Sequence, residues 1–521
     1  MPMRSPHCPG AASRARALGA AAWLTLAAGC ASPPSAPTVV DWVIARPRPA
    51  CDPGAPPEAM RWAIERLLTR GLVDEDSSGS IVPAAAQRYE VSDDGRVYTF
   101  HLAPALVFAD SSPCVSADFR RALEAGLERT DHATQAWLLG SVIGVDRVRP
   151  GRVPDLGIET PDDRTLVLRL SRPDSLLLRK LALPGVSAPW SQRSGVADWD
   201  GMRGLGPYRV VSADGERMTL ARFAGCSWGR FGGSDTLRLR FATNEARVRA
   251  LLRAGRADLL WPTPPGMIGE ALPGRYRWER RVADPLRFLL LVMRADVPPT
   301  SRPAARQVLS HGLNRADILR ALGPGGRDLG AWISGAPAFA FPRLDTRAVN
   351  VWMSRGRFGR SFHVAMAYDA DGMGEAVARE LQGEWSRFSL SVELRPLRGE
   401  ALAKEMLRGR AQLLLVESQA LFDHVTAELA ALVTPSRGPA LGAFRTGWRT
   451  GAFDPWLAPS AAARSPETRL AQGRLEEERV ALPLARLPWS WVARQGGPVA
   501  GFHPHYGPDL APRVTARPSS R

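Results

Sequence analysis

Lysine is almost missing from this chain. Lys180 and Lys404 are the only two among 521 residues, so 66 of the 68 basic side chains are arginine. With 52 acidic residues the net charge is +16, yet no run of five or more like charges occurs and the arginines are spread through every segment. A dedicated nucleic-acid binder gathers its basic charge on one face or arm. The dispersal excludes such an arm and leaves solvated arginines with a secondary attraction for anionic membrane surfaces. No phosphate-binding Gly-x-x-x-x-Gly-Lys loop is present, so the chain does not itself hydrolyse nucleotide. No Gly-x-Ser-x-Gly elbow is present either. The cysteines match no zinc spacing. Internal repeats are absent. What remains is ordinary globular composition, 45% hydrophobic and 23% charged, in a chain too long for one core, which implies two or three domains.

Apolar runs are short throughout. The longest near the amino terminus, Ala17 to Ala28, follows Arg4, Arg14 and Arg16. It is a signal-peptide hydrophobic region, too short to span a bilayer as a helix. It closes on Ala27-Ala28-Gly29-Cys30, followed by Ala31-Ser32-Pro33-Pro34-Ser35-Ala36-Pro37. Small residues before a cysteine and a flexible tether after it resemble the bacterial lipoprotein cleavage box. Cys30 is the expected lipid attachment point, where several acyl chains give stable anchoring; plain cleavage near Ala28 is the alternative. The expected location is the periplasm or cell envelope, membrane-anchored and facing the extracytoplasmic side. Cys51, Cys114 and Cys226 then remain in an oxidising compartment. Cys51–Cys114 is the expected disulfide.

Along the body, Asp93-Asp94-Gly95 signals a tight turn between strands within residues 81–102, with Val97 to Leu102 rich in β-formers. Ser116 is placed to cap a helix whose Phe119, Leu123 and Leu127 recur every four residues. Further strands are read at 166–170, 207–211, 218–223 and 237–241. Thr243 and Asn244 can cap a helix carrying Val248, Leu251 and Leu252, which Gly255 ends. Residues 361–416 are the most legible, reading strand–helix–strand–helix–strand. That order implies parallel pairing, and open parallel sheets bind ligands beyond the carboxyl ends of their strands. Glu417, Ser418 and Gln419 are therefore expected at such a mouth.

The order of segments resembles the bacterial extracellular solute-binding proteins of family 5, the dipeptide-, oligopeptide- and nickel-binding components of ABC transporters. The likeness rests on Ile81-Val82-Pro83-Ala84 through Tyr89 to Leu102, on Asp110-Ser111-Ser112-Pro113 and on Ser116-Ala117-Asp118-Phe119. It continues through Gly204-Leu205-Gly206-Pro207-Tyr208, Ala254 to Asp258, Ala304 to Leu309 and Gly501-Phe502-His503-Pro504-His505. It implies an α/β fold: a two-lobed periplasmic-binding-protein clamshell with an inserted subdomain in the first lobe. The implied division is a signal peptide at 1–29, a tether at 30–37, lobe I at 38–80, 190–262 and 485–521, the inserted subdomain at 81–189, and lobe II at 263–484. Such proteins close on ligand by hinge motion.

The chain departs from the family where ligand is held. Peptide-binding members carry a Trp and, three residues on, an Asp that holds the peptide amino group; Glu417 and Ala420 stand there, with Asp423-His424 in place of Asp-Pro. Arg294 stands at a common Asn, and Asp110-Ser111 at an Asp-Gly turn. The expected ligand-binding residues are Arg294, Glu417, Ser418 and Asp423, with Glu417 or Asp423 receiving any ligand ammonium. Two histidines at 503 and 505 without a third ligand point to a loop rather than a metal, and Trp489 and Trp491 alternate as in a half-buried strand. No metal, cofactor, catalytic residue or nucleic-acid partner is expected. The expected partners are a peptide or other small solute, ABC permease subunits and the membrane through the lipid anchor, with the protein as a monomer. A sensor or scaffold lipoprotein that kept the fold is the alternative.

Overall fold

The order of strands along the chain differs from their order in space, and that difference divides the body into two lobes. The structure, a computed structural model, describes residues 38–49, 51, 59–76, 78–128, 137–149, 152–192, 198–226, 234–274, 276–283, 287–330, 332, 338–370, 372–419, 446–447, 466–496, 501–503 and 507–509. Cys30 and its tether lie outside these residues. No helix among the described residues is long and apolar enough to cross a membrane.

The first lobe holds a seven-stranded sheet. In spatial order its strands are Tyr208–Ala213, Arg217–Arg222, Thr236–Phe241, Val39–Ile44, Leu259–Leu260, Trp489–Arg494 and Trp278–Ala283. Val39–Ile44 is parallel to both of its neighbours. Glu245–Arg253 forms as a helix because Asn244 caps it, accepting the Arg247 N–H at 2.9 Å. Val248, Leu251 and Leu252 bury its inner face. Gly255, at φ 64°, supplies the left-handed residue that ends it.

The second lobe has a five-stranded sheet in the order Ser391–Leu397, His363–Asp369, Leu413–Gln419, Arg287–Met293, Ala481–Arg486. Its first three strands are parallel, as the alternating pattern implies, and the helix Gly374–Ser386 buries Val377, Leu381 and Trp385 between them and solvent. All seven residues of Arg287–Met293 are buried, so both faces of the sheet are covered along this strand, which has antiparallel partners on either side. The inserted subdomain is a four-stranded sheet, Ala86–Val91, Val97–Leu102, Thr165–Arg169, Ile158–Asp162, packed under the helix Ser116–Glu128. Its turn closes as the sequence suggests: the Asp94 carboxylate accepts the Arg96 N–H at 3.1 Å and Gly95 takes φ 66°.

Three expectations change. The first-lobe sheet does not stop at residue 262; it includes Trp278–Ala283, because that segment finds its antiparallel partner in Trp489–Arg494. The second sheet therefore begins at Arg287, and the chain crosses between lobes after Ala283 and again after Arg486. The crossings are held side by side by the Leu487 N–H, which donates to the Arg287 carbonyl at 2.8 Å. Ser116 does not cap its helix: its hydroxyl donates to the Asp162 carbonyl, while the Asp118 carboxylate takes the Val115 N–H at 2.8 Å. Finally, Cys51 and Cys114 do not form a disulfide. Cys51 packs in the apolar cluster of the first-lobe sheet and Cys114 in the one that includes the inserted subdomain, so the two thiols lie in separate cores.

Candidate functional site

Between the lobes lies a cavity of about 210 Å³. The first lobe contributes Arg46, just past Val39–Ile44, together with Thr243, Asn244 and Glu245 at the start of the Glu245–Arg253 helix, and Thr263 and Ile268. The second contributes Arg287, Gly325, Gly372 and Met373, and the returning crossing adds Pro488 and Trp489. Arg46, Thr243 to Glu245 and Met373 lie past the carboxyl ends of strands or at the starts of helices, and the antiparallel strands Arg287–Met293 and Trp489–Arg494 bring their first residues to the same edge. That follows from the topology, since parallel strands place their carboxyl ends and the following helix N-termini on one edge.

Glu417 lies behind this wall, where the carboxyl end of Leu413–Gln419 was expected to open onto a mouth. Arg287 pairs opposite Gln419 in the antiparallel ladder, which makes Arg287 and Glu417 diagonal neighbours on one face. The Arg287 guanidinium donates to the Glu417 carboxylate, and Arg46, from the other lobe, stands 3.8 Å away. Gly372 allows the backbone to close over the group: a Cβ there would lie 3.3 Å from Glu417 Oε1. Burial pushes the Glu417 carboxyl up. The charges of Arg287 and Arg46, with hydrogen bonds from Arg287 and the Met373 backbone, outweigh that and hold it at about 2. Glu417 is thus ionised and already neutralised by the protein's own guanidinium groups.

Beneath Arg287 runs an aromatic column. The guanidinium lies 3.8 Å from the Trp489 ring centroid, Trp489 meets Trp261 edge-on at 5.1 Å, and Trp261 stacks on Trp42 at 5.9 Å. Stacking and ion pairing together fix the orientation of Arg287. Among the described residues of the wall, two buried polar groups have no hydrogen-bond partner: the Thr263 hydroxyl and the Trp489 indole N–H. Such groups cost about 1–3 kcal/mol each when left unpaired and are open to a water molecule or a bound solute.

Arg294 is placed elsewhere. It follows the far end of Arg287–Met293, about 23 Å from Arg287 at a strand's rise, and its side chain is held by both Asp296 oxygens at 3.0 Å and by the Gly409 carbonyl. It organises the opposite edge of the sheet and not the cleft. Ser418 faces the other side of the sheet from Glu417 by strand alternation. Asp423, like Ala420 and His424, lies outside the described residues; so do Pro504 and His505. Trp489, read from sequence mainly as a half-buried strand residue, is both: 8% exposed and part of the wall. Arg46 and Arg287 were missed. Each is a single charge abutting an apolar strand, the one signal that could have found them.

The family model of the bacterial extracellular solute-binding proteins, family 5 (middle region) matches residues 80–439, and the chain belongs to that family. Among curated relatives, the periplasmic oligopeptide-binding protein OppA of Escherichia coli is 30% identical over 128 residues, 24% of this chain and 23% of OppA. The glutathione-binding protein GsiB of Salmonella typhi is 22% identical over 274 residues, 52% of this chain and 51% of GsiB. The matches thus span about a quarter to a half of those relatives. The solved structure of the murein tripeptide binding protein MppA of Escherichia coli aligns at a TM-score of 0.77 with 18% identity, covering 91% of this chain and 97% of that one. The fold is the two-lobed periplasmic solute-binding architecture.

Proposed function

We propose that this protein is an exported, lipid-anchored binding protein that captures a peptide or similarly sized solute between its lobes and delivers it to an ABC transporter permease. The observation that carries the reading is the cavity walled by both lobes, with an unpartnered hydroxyl and an unpartnered indole N–H in its lining. A solute enclosed there gains affinity from burial plus a few placed polar groups. Two adjacent crossings between lobes suit a hinge that opens and closes the cleft. Membrane attachment is assigned to Cys30, supported by the apolar run and small residues before it. Chemistry of its own is not part of the reading; the relatives matched are named as binding proteins.

Native mass spectrometry of protein purified gently from its own cells tests this. The expected spectrum contains a non-covalently held small molecule that leaves on collisional activation, on a polypeptide beginning at lipidated Cys30. A ligand-free spectrum from freshly purified protein sinks the capture reading; a start near Ala28 without lipid sinks the anchor.

A further inference from the structure

The cleft's charges point to one class of solute. Among the described residues, three ionisable ones line it: Arg46, Arg287 and Glu245. Glu245 is committed, with Oε1 accepting the Gly266 N–H at 3.1 Å and Oε2 lying 3.8 Å from Arg249. Glu417 stands behind the lining and holds Arg287 while facing Arg46. Glu245 is thus the one carboxylate among the described lining residues, and it already accepts a backbone N–H and stands near a guanidinium. Glu417 Oε1 makes no hydrogen bond, but Arg46 at 3.8 Å and the Arg287 ion pair already balance the Glu417 charge.

Of the remaining features, the helix starts and the Trp489 N–H favour negative charge or acceptors, and the Thr263 hydroxyl serves either sense. Two helices begin at the cavity, Glu245–Arg253 and Gly374–Ser386, and helix starts carry partial positive charge with N–H groups directed outward. Trp489, 8% exposed, offers a donor-only indole N–H without a partner, and Thr263, 6% exposed, offers a hydroxyl without one. Arg287 is pre-oriented by stacking 3.8 Å over Trp489, so little ordering remains to be done when it meets an anion.

We infer that the cleft selects an anionic solute, one whose carboxylate or comparable acidic group meets Arg46 and the two helix starts while its acceptors take the Trp489 N–H and Thr263 hydroxyl. This rests on the capture reading and adds the charge class of the solute to it. Arg46 lines the cavity and is one-quarter exposed where Arg287 is nearly covered, which makes it the guanidinium more accessible to the solute.

The test uses the full-length protein in detergent, dialysed free of bound solute, and a small-molecule extract of its source culture split by ion exchange into anionic, neutral and cationic fractions. The expected result is a rise in the thermal unfolding midpoint with the anionic fraction alone, diminishing with added salt. Arg46→Gln should weaken the half-saturating amount of that fraction by at least about tenfold, as for loss of a charged partner in a desolvated contact. Arg46→Lys should restore part of it. The unliganded midpoints of both variants establish that they fold. If the neutral or cationic fraction stabilises instead, or Arg46→Gln responds to the anionic fraction as wild type does, the charge assignment is overturned while capture stands. If no fraction stabilises the protein, capture and charge class fall together.

Discussion

One of the two lysines is wholly buried, and its partners explain why a compact ammonium is retained in an arginine-rich chain. Lys180 donates to Asp174 at 2.8 Å, beneath the Trp137 ring, whose centroid is 5.3 Å away. The Ser141 hydroxyl and the Leu176 N–H complete the Asp174 carboxylate at 2.8 and 3.0 Å. Burial drives the Lys180 ammonium below its ordinary pKa, and the Asp174 charge and hydrogen bond oppose that. Breaking such a pair leaves an uncompensated buried charge, at a cost of about 3–5 kcal/mol. Urea unfolding of Asp174→Asn and Lys180→Met should each show a loss of that order, with the double Lys180→Met/Asp174→Leu variant markedly more stable than either. Single variants indistinguishable from wild type would refute the role. Scarcity of lysine was visible in the sequence. The pairing was not, because it depends on which loop covers the inserted subdomain's core.

At the scale of elements, strands and helices were the most legible part, since their apolar spacing records which face is buried. Their ends were less so, as Ser116 and Asp118 illustrate. The Asp110-Ser111 turn is a case where the departure from the family's Asp-Gly has a structural consequence. The Ser111 N–H donates to the Phe108 carbonyl at 2.8 Å and the Asp110 carboxylate accepts the Ser112 N–H at 3.0 Å. This forces Ser111 to φ 69°. A side chain there is strained, whereas glycine adopts the conformation freely. Ser111→Gly should therefore stabilise the protein by about 0.5–1 kcal/mol after the greater freedom of unfolded glycine is allowed for. A higher denaturant midpoint with unchanged slope checks it; a lower midpoint rejects the strain argument.

For the whole molecule, the Arg46–Glu417–Arg287 group ties one lobe to the other, and its response to pH follows from Glu417. The folded carboxyl titrates at about 2, below its ordinary 4.5. A depressed acid contributes stability that is complete above about 4.5 and is lost as pH falls toward 2, here on the order of 2–3 kcal/mol. The difference in unfolding midpoint between wild type and Glu417→Gln should therefore be constant from neutral pH to about 5 and shrink steadily toward pH 2. A difference that does not change across that range would show that Glu417 contributes through packing and not through its charge.

The sequence by itself determined the family, the alternation of strands and helices in 361–416, and the place of Glu417 toward the carboxyl end of its strand. All of these are recorded in local order and periodicity. Only the tertiary structure decided what Glu417 meets there. Arg46, Arg287 and Glu417 are brought together from positions hundreds of residues apart by two crossings between sheets, and Arg294 is carried to the opposite edge by one intervening strand. Charge pairing of this kind depends on which chain ends converge in space, and no local pattern encodes that convergence. A carboxylate legible as a ligand anchor thus became, once folded, the counter-ion of the protein's own arginines.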